Sequence, residues 1–80
     1  MQITILAFGI AKDIIGGASL HLELPSGSTV RSLKSLLSQK FPDFERLASL
    51  SVAVNTEYAT DEQILSEQDE IVLIPPVSGG

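Results

Sequence analysis

The sequence has 80 residues, of which 44% are hydrophobic, and ten acidic against five basic residues give a formal net charge of −5. This size and composition fit one small folded domain and argue against disorder. With no cysteine and one histidine, a disulfide scaffold, a thiol nucleophile and cysteine-based zinc or iron–sulfur sites are excluded. The acidic balance and the scattered basic residues argue against nucleic acid as a partner. The chain shows no apolar stretch long enough to span a bilayer and no secretion signal, so we expect a cytoplasmic protein without membrane contact.

The region before Pro25 predicts two strands with one helical turn between them. Residues 1–9 alternate between apolar and polar side chains, as a strand does. The inner face of this strand is formed by Ile3, Ile5 and Ala7. A helical turn over residues 11–15 ends at Gly16-Gly17. Residues 18–24 alternate again as a second strand, whose inner face is formed by Leu20, Leu22 and Leu24.

The middle of the chain predicts the main helix. A turn at Pro25-Ser26-Gly27 precedes Ser28 and Thr29, either of which can cap the helix through its hydroxyl. One apolar stripe at helical spacing is formed by Val30, Leu33, Leu36, Leu37 and Phe41. Pro42 ends the helix, because it lacks the backbone N–H and disfavours helix at the preceding residue. Residues 43–50 then form a second short helix or a turn.

The last part of the chain predicts three more strands. Residues 51–55 form a strand with Val52 and Val54 inward, and the polar residues 56–68 form a loop with a short strand near Tyr58. Residues 70–74 form the last and most apolar strand. This order predicts a two-layer α+β domain with the β-grasp fold of ubiquitin-like proteins, in which the first and last strands pair in parallel. We predict that the domain spans residues 1–74.

The outer face of the predicted sheet carries apolar side chains where solvent is expected. Once the first and last strands lie side by side, one patch forms from Leu6, Phe8, Val72 and Ile74. Removing about 300 Å² of such surface from water favours association by about 7 kcal/mol before entropy costs. We therefore interpret the patch as a partner-binding surface. Two alternatives remain open: burial of the last strand on both faces, or a bulge that shifts the phase of Phe8.

Residues 75–80 are predicted to form a stiff tail with a narrow tip. The tail consists of Pro75, Pro76, Val77, Ser78, Gly79 and Gly80. The prolines favour an extended path, and an extended segment of this length reaches about 20 Å at roughly 3.3 Å per residue. Glycine lacks a Cβ, so Gly79 and Gly80 suit a channel too narrow for other residues. The α-carboxylate of Gly80 is the candidate reactive group: after activation by ATP, a sulfur donor would give a thiocarboxylate and an amine an isopeptide.

Three segments together carry a family resemblance that covers essentially the whole chain. They are residues 6–16, the Val52-Ala53-Val54-Asn55 strand, and residues 69–80 with the ending Pro-Pro-Val-Ser-Gly-Gly. The sequence resembles MoaD-type sulfur carriers, the small subunits of molybdopterin synthase within the ubiquitin-like MoaD/ThiS family. It departs from the family at Ile74, a position that is often aromatic there, although the apolar character is kept.

The resemblance implies a complete sulfur-carrier cycle. An E1-like adenylyltransferase would activate Gly80 with ATP, and a sulfurtransferase would convert it to a thiocarboxylate, leaving a covalent 1-thioglycine. The tail would then enter the large, catalytic subunit and pass sulfur to cyclic pyranopterin monophosphate. The family assembly is a heterotetramer of two small and two large subunits. It also implies that this chain binds no cofactor or metal of its own and is no enzyme by itself.

Three other functions compete with this interpretation. They are a thiamine-type sulfur carrier, a protein modifier that forms isopeptides, and a plain interaction module with an incidental tail. An autonomous enzyme fits poorly, because His21 is expected on the outer face of the second strand and Ser78 has no accompanying base. One acidic run lacks calcium-loop spacing and is interpreted as a solvated loop with a capping role. It comprises Asp61, Glu62, Glu67, Asp69 and Glu70.

Overall fold

A computed structural model gives the structure of residues 1–47 and 50–75. In chain order the elements are β1 (Gln2–Ala7), α1 (Gly9–Ile15), β2 (Ser19–Glu23), α2 (Val30–Lys40), a 3₁₀ helix (Pro42–Arg46), β3 (Ser51–Val54), β4 (Glu57–Tyr58) and β5 (Ile71–Ile74). In the part of the chain that is described, none of the helices is both long and apolar enough to cross a membrane. The predicted tail beyond Pro75 lies outside the described residues, so the division at residue 74 stays a prediction.

The five strands form one mixed sheet in the order β2-β1-β5-β3-β4. β1 and β5 pair in parallel, with Ala7 opposite Leu73, and the other neighbouring strands pair antiparallel. A parallel pair requires a crossover connection, and here that connection contains α2. The predicted α+β class, the β-grasp strand order and the parallel pairing are confirmed.

The core lies between the inner face of the sheet and α2. The side chains that are entirely or almost entirely buried there include Ile3, Ile5, Ile71, Leu73, Val52, Val30, Leu33 and Leu37. Burying one such aliphatic side chain contributes about 1.5–3 kcal/mol. The predicted inward faces of β1, β3 and β5 are therefore correct. Leu20 is only half-buried, because β2 is an edge strand.

The structure corrects the sequence prediction around α1 and Ala53. α1 begins at Gly9, two residues before the predicted turn, and its end is as predicted: the N–H groups of Gly16 and Gly17 both donate to the Lys12 carbonyl, at 3.0 and 3.1 Å. Gly16 has φ +80°, a conformation that costs residues with a Cβ about 1–2 kcal/mol. Ala53, on the outer side of β3, is also buried, because its register partners Val72 and Tyr58 flank it.

The loop after β4 completes the N-terminus of α2. The Thr29 hydroxyl accepts a hydrogen bond from the Ser32 N–H at 3.3 Å, so Thr29 is the capping residue. The N–H groups of Val30 and Arg31 donate to the carbonyls of Gln63 and Asp61, at 3.0 and 2.9 Å. These contacts satisfy backbone donors that a helix start otherwise leaves to solvent.

Acidic side chains fix this loop at several points, in agreement with the predicted capping role. Lys34 Nζ donates to Asp61 Oδ1 at 2.8 Å. Asp69 Oδ2 accepts a hydrogen bond from the Ser66 backbone N–H, and Asp69 Oδ1 accepts one from the side-chain amide of Asn55, both at 2.9 Å. Within residues 1–47 and 50–75, no group of histidine and carboxylate side chains is arranged to hold a metal ion.

The β3–β4 hairpin contains a strained position that can be tested. Val54 pairs with Glu57, so the loop is Asn55-Thr56, and both residues have positive φ, +53° and +72°. Two-residue hairpin turns of this kind favour Asn followed by Gly, whereas a β-branched residue is disfavoured in this region. Thr56→Gly is therefore expected to raise the free energy of unfolding by about 1 kcal/mol. Urea denaturation would measure this increase, provided that the dependence of the free energy of unfolding on urea concentration is the same in both proteins.

Thr60→Gly is the matched control, because φ of Thr60 is not positive. Glycine there should only enlarge the entropy of the unfolded chain, so the variant should lose stability. Equal effects of the two substitutions would contradict the assignment of strain to Thr56.

The Lys34–Asp61 contact predicts a particular acid sensitivity. The hydrogen bond from Lys34, and after it the charge of Lys34, lower the pKa of Asp61. A carboxyl whose pKa is lower in the folded state stabilises the fold above its unfolded pKa of about 3.9, and this contribution is lost as the pH falls through the folded pKa. Asp61→Asn should therefore show a smaller loss of stability below about pH 4 than the parent chain.

Urea midpoints measured across the acid range would check this, with Glu62→Gln as the control. Glu62 contacts Arg31 at 3.1 Å, but both side chains are largely exposed, and exposed pairs contribute little. If the urea midpoints of the parent and of Asp61→Asn fall in parallel as the pH is lowered, the Lys34–Asp61 contact does not cause the acid sensitivity.

Candidate functional site

A row of apolar side chains crosses the sheet on the face opposite α2. The pairing registers join Leu6 of β1 to Val72 of β5, Val72 to Ala53 of β3, and Ala53 to Tyr58 of β4. Leu6 and Val72 are half-buried, whereas Tyr58 is 74% exposed. The row therefore extends over four of the five strands. Apolar side chains that are contiguous on a solvent-facing surface indicate an interaction site.

Phe8 and Ile74 lie two residues further along β1 and β5 and continue the same face. Phe8 follows the end of β1 with an extended backbone (φ −132°, ψ 162°), so the alternation of β1 persists through it, and its side chain is 59% exposed. Ile74 is half-buried opposite Ser51. The structure thus places all four predicted patch residues on one face, and neither alternative, a doubly buried β5 or a shifted Phe8, is observed. We define the outer-face patch as Leu6, Phe8, Ala53, Tyr58, Val72 and Ile74.

The base of the predicted tail lies against the start of α1. Pro75 follows β5 directly and is half-buried. A Cβ built on Gly9 would come within 3.8 Å of Pro75 Cγ, and Gly9 has φ +57°. The chain therefore leaves the sheet beside Phe8, at the edge of the outer-face patch. The other predicted tail residues lie outside the described part of the chain: Pro76, Val77, Ser78, Gly79 and Gly80.

The other half of the outer face is polar. Thr4 Oγ1 and His21 Nδ1 are 3.0 Å apart, and the Gln2 N–H donates to Glu67 Oε1 at 2.9 Å. Together these residues line an open depression of about 510 Å³. His21 is exposed, as predicted. Across the described residues, every buried side-chain nitrogen or oxygen has a hydrogen-bond partner, so none is held ready for a ligand.

Sequence reasoning missed two members of the patch, Ala53 and Tyr58. Tyr58 was predicted only to lie near a short strand, and the two-residue β4 is too short to show alternation. The available signal was the Asn55-Thr56 pair, which permits a tight hairpin and thereby sets Tyr58 opposite Ala53.

The sheet order, the parallel central pair and the single helical layer define a β-grasp domain of the ubiquitin-like class. The apolar outer-face patch lies beside the point where the chain leaves the sheet. The model of the ThiS family matches residues 5–80, and the chain belongs to this family. The resemblance to the MoaD/ThiS family is thereby confirmed.

Individual relatives agree with this assignment. The chain is 42% identical over 81 residues to the molybdopterin synthase sulfur carrier subunit of Arabidopsis thaliana, and the match covers 100% of this chain and 84% of the relative. A crystal structure of SAMP1 from Haloferax volcanii superposes with a TM-score of 0.83 at 24% identity over the full length of both chains, which shows the fold alone. A protein–protein complex of subunits 1 and 2 of the molybdopterin-converting factor from Helicobacter pylori contains a chain with a TM-score of 0.68 and 25% identity, covering 100% of both chains.

Proposed function

We propose that this protein is the sulfur-carrier subunit of a molybdopterin synthase. It would deliver sulfur to cyclic pyranopterin monophosphate during molybdenum cofactor biosynthesis, in the cytoplasm. The observation that carries the proposal is the match along the whole chain, at 42% identity, to a relative named as such a subunit. The placement of the outer-face patch beside Pro75 supports it, because a carrier must dock while its tail reaches into another protein.

In the proposed cycle the reacting group is the α-carboxylate of Gly80. A carboxylate oxygen attacks the α-phosphorus of ATP and pyrophosphate leaves, which gives an acyl adenylate. Hydrosulfide, or a sulfur donor equivalent to it, attacks the acyl carbon, the C–S bond forms, and AMP leaves with the former carboxylate oxygen. The product is the thiocarboxylate. The residues that catalyse these steps belong to the activating enzyme and the sulfurtransferase, so this chain contributes the reacting group and the docking surface.

The tail has the dimensions that this role needs. From Pro75, held beside Gly9, the remaining tail residues reach about 16 Å when extended at roughly 3.3 Å each. Pro76 favours the extended path, and Val77 and Ser78 would line the channel that receives it. Gly79 and Gly80 would pass its narrowest part, because they lack a Cβ.

The partners in this proposal are three proteins. The large synthase subunit would receive the loaded tail, in an assembly of two small and two large subunits, and the complex of the two converting-factor subunits from Helicobacter pylori supports such a pairing. An E1-like adenylyltransferase and a sulfurtransferase would load the tail. ATP is then consumed by a partner, and the proposed covalent group on this chain is 1-thioglycine.

Intact mass spectrometry tests the chemistry directly. After incubation with an E1-like adenylyltransferase, ATP and sulfide, the protein should gain the mass difference between sulfur and oxygen, and fragmentation should assign it to Gly80. A variant with one residue added after Gly80 should gain nothing and should keep the parent's free energy of unfolding. Sulfur loading of the extended variant would disprove the tail mechanism, and isopeptide adducts to lysine without a thiocarboxylate would favour a protein modifier.

Phe8→Asp tests the docking surface. Since Phe8 is 59% exposed and precedes the first residue of α1, where aspartate is a favourable capping residue, the substitution should not lower the free energy of unfolding by more than about 0.5 kcal/mol. It places a charge on the apolar patch beside the exit of the chain and should weaken binding to the large subunit at least about tenfold, measured by titration calorimetry. Phe44→Asp is the contrasting variant, because Phe44 is 4% exposed and its replacement should unfold the domain. Unchanged binding of a folded Phe8→Asp protein would exclude the patch as the docking surface.

A further inference from the structure

A second apolar surface lies between α1 and the 3₁₀ helix, outside the outer-face patch. It is a groove of about 350 Å³. The lining consists of Ile10, Asp13 and Ile14 from α1, and Asp43, Arg46 and Leu47 from the 3₁₀ helix and the residue after it. We call it the α1 groove.

The floor of the α1 groove is apolar and partly uncovered. Ile10 is 49% exposed, and Ile14 and Leu47 are half-buried against the core. Ile10 and Ile14 are four residues apart on α1, so they lie on the same side of the helix. Ile10 also follows Phe8 by only two residues, across the turn at Gly9. The groove therefore begins close to the outer-face patch, near the point where the chain leaves the sheet.

The rim of the α1 groove favours a basic group. It carries two carboxylates, Asp13 and Asp43, against one guanidinium, Arg46. Arg46 Nε lies 3.7 Å from Asp43 Oδ1, with both side chains more than half exposed, so this pair is weak. Among the described residues, Asp13 has no ion pair. The formal net charge of −5 adds attraction for a basic surface.

We propose that the α1 groove is a second docking contact for the large synthase subunit. It would receive one apolar side chain of that subunit on its floor, with an adjacent lysine or arginine paired to Asp13. This inference rests on the proposed function and adds to it a partner-binding site separate from the tail and from the outer-face patch. Two contacts on either side of the chain's exit would fix the rotation of the domain, and with it the direction in which the tail enters.

Two variants and two matched controls test the α1 groove. Ile10→Ser removes the most exposed apolar side chain of the floor, and Asp13→Asn removes the Asp13 charge from the rim at nearly constant shape. Ile64→Ser is the control for the first, because Ile64 is also exposed, at 65%, but lies on the loop beside Thr29. Glu45→Gln is the control for the second, because Glu45 belongs to the same 3₁₀ helix but lines a different surface, with Lys34 and Ser38.

Binding of each variant to the large subunit would be measured by titration calorimetry at low and high salt, after the free energy of unfolding has been shown to match the parent's. Ile10→Ser should weaken binding about tenfold, and Asp13→Asn about fivefold with a reduced salt dependence, whereas each control should change it less than about twofold. Asp13→Asn leaves the apolar packing intact, so it remains informative should Ile10→Ser fold poorly.

Three results would overturn the inference. If Phe8→Asp abolishes binding while the groove variants behave like their controls, the groove proposal fails and the proposed function stands. If the parent chain itself does not bind the large subunit, the proposed function fails and the groove proposal with it. If sedimentation shows a dimer of this chain that Ile10→Ser dissociates, the occupant of the groove is a second copy.

Discussion

The parallel pairing of β1 with β5 brings the beginning and the end of the folded chain side by side at the centre of the sheet. Its register sets Leu6 beside Val72 and Ala7 beside Leu73, so one face of the pair enters the core and the other forms the outer-face patch. The same pairing determines where the chain leaves the sheet, next to Gly9 and the start of α1. The outer-face patch and the position of Pro75 therefore both depend on a single pairing between segments distant in sequence.

Much of the fold could be predicted from the sequence, because its burial pattern is simple. Ile3 and Ile5 alternate with polar residues, and Val30, Leu33 and Leu37 repeat at helical spacing, so local periodicity was sufficient there. The start of α1 was predicted too late, since a glycine at φ +57° gives no propensity signal for a helix. The burial of Ala53 could not be read from β3 alone, because it depends on Val72 and Tyr58 from two other strands.

The candidate site, like the fold, contains residues that could be predicted from the sequence and residues that could not. Phe8 and Ile74 were identifiable because strand phase is a local property, and pairing their strands needed only the fold class. Tyr58 and the α1 groove were not, since each requires a register or a packing angle between elements that the sequence does not encode locally. Ile10 and Ile14 did carry a signal in their spacing of four, but only the position of Leu47, after the 3₁₀ helix, turns that stripe into a groove.

The two edges of the sheet bear on how the protein behaves at high concentration. A molecule with an exposed apolar face risks growing into a continuous sheet by pairing its edge strands with those of neighbours. Here one edge, β4, is only two residues long, and the other, β2, alternates Ser19, His21 and Glu23 along its exposed face. A short edge and a polar edge both disfavour strand addition. The protein can thus expose an apolar face with little tendency to form fibres of its own.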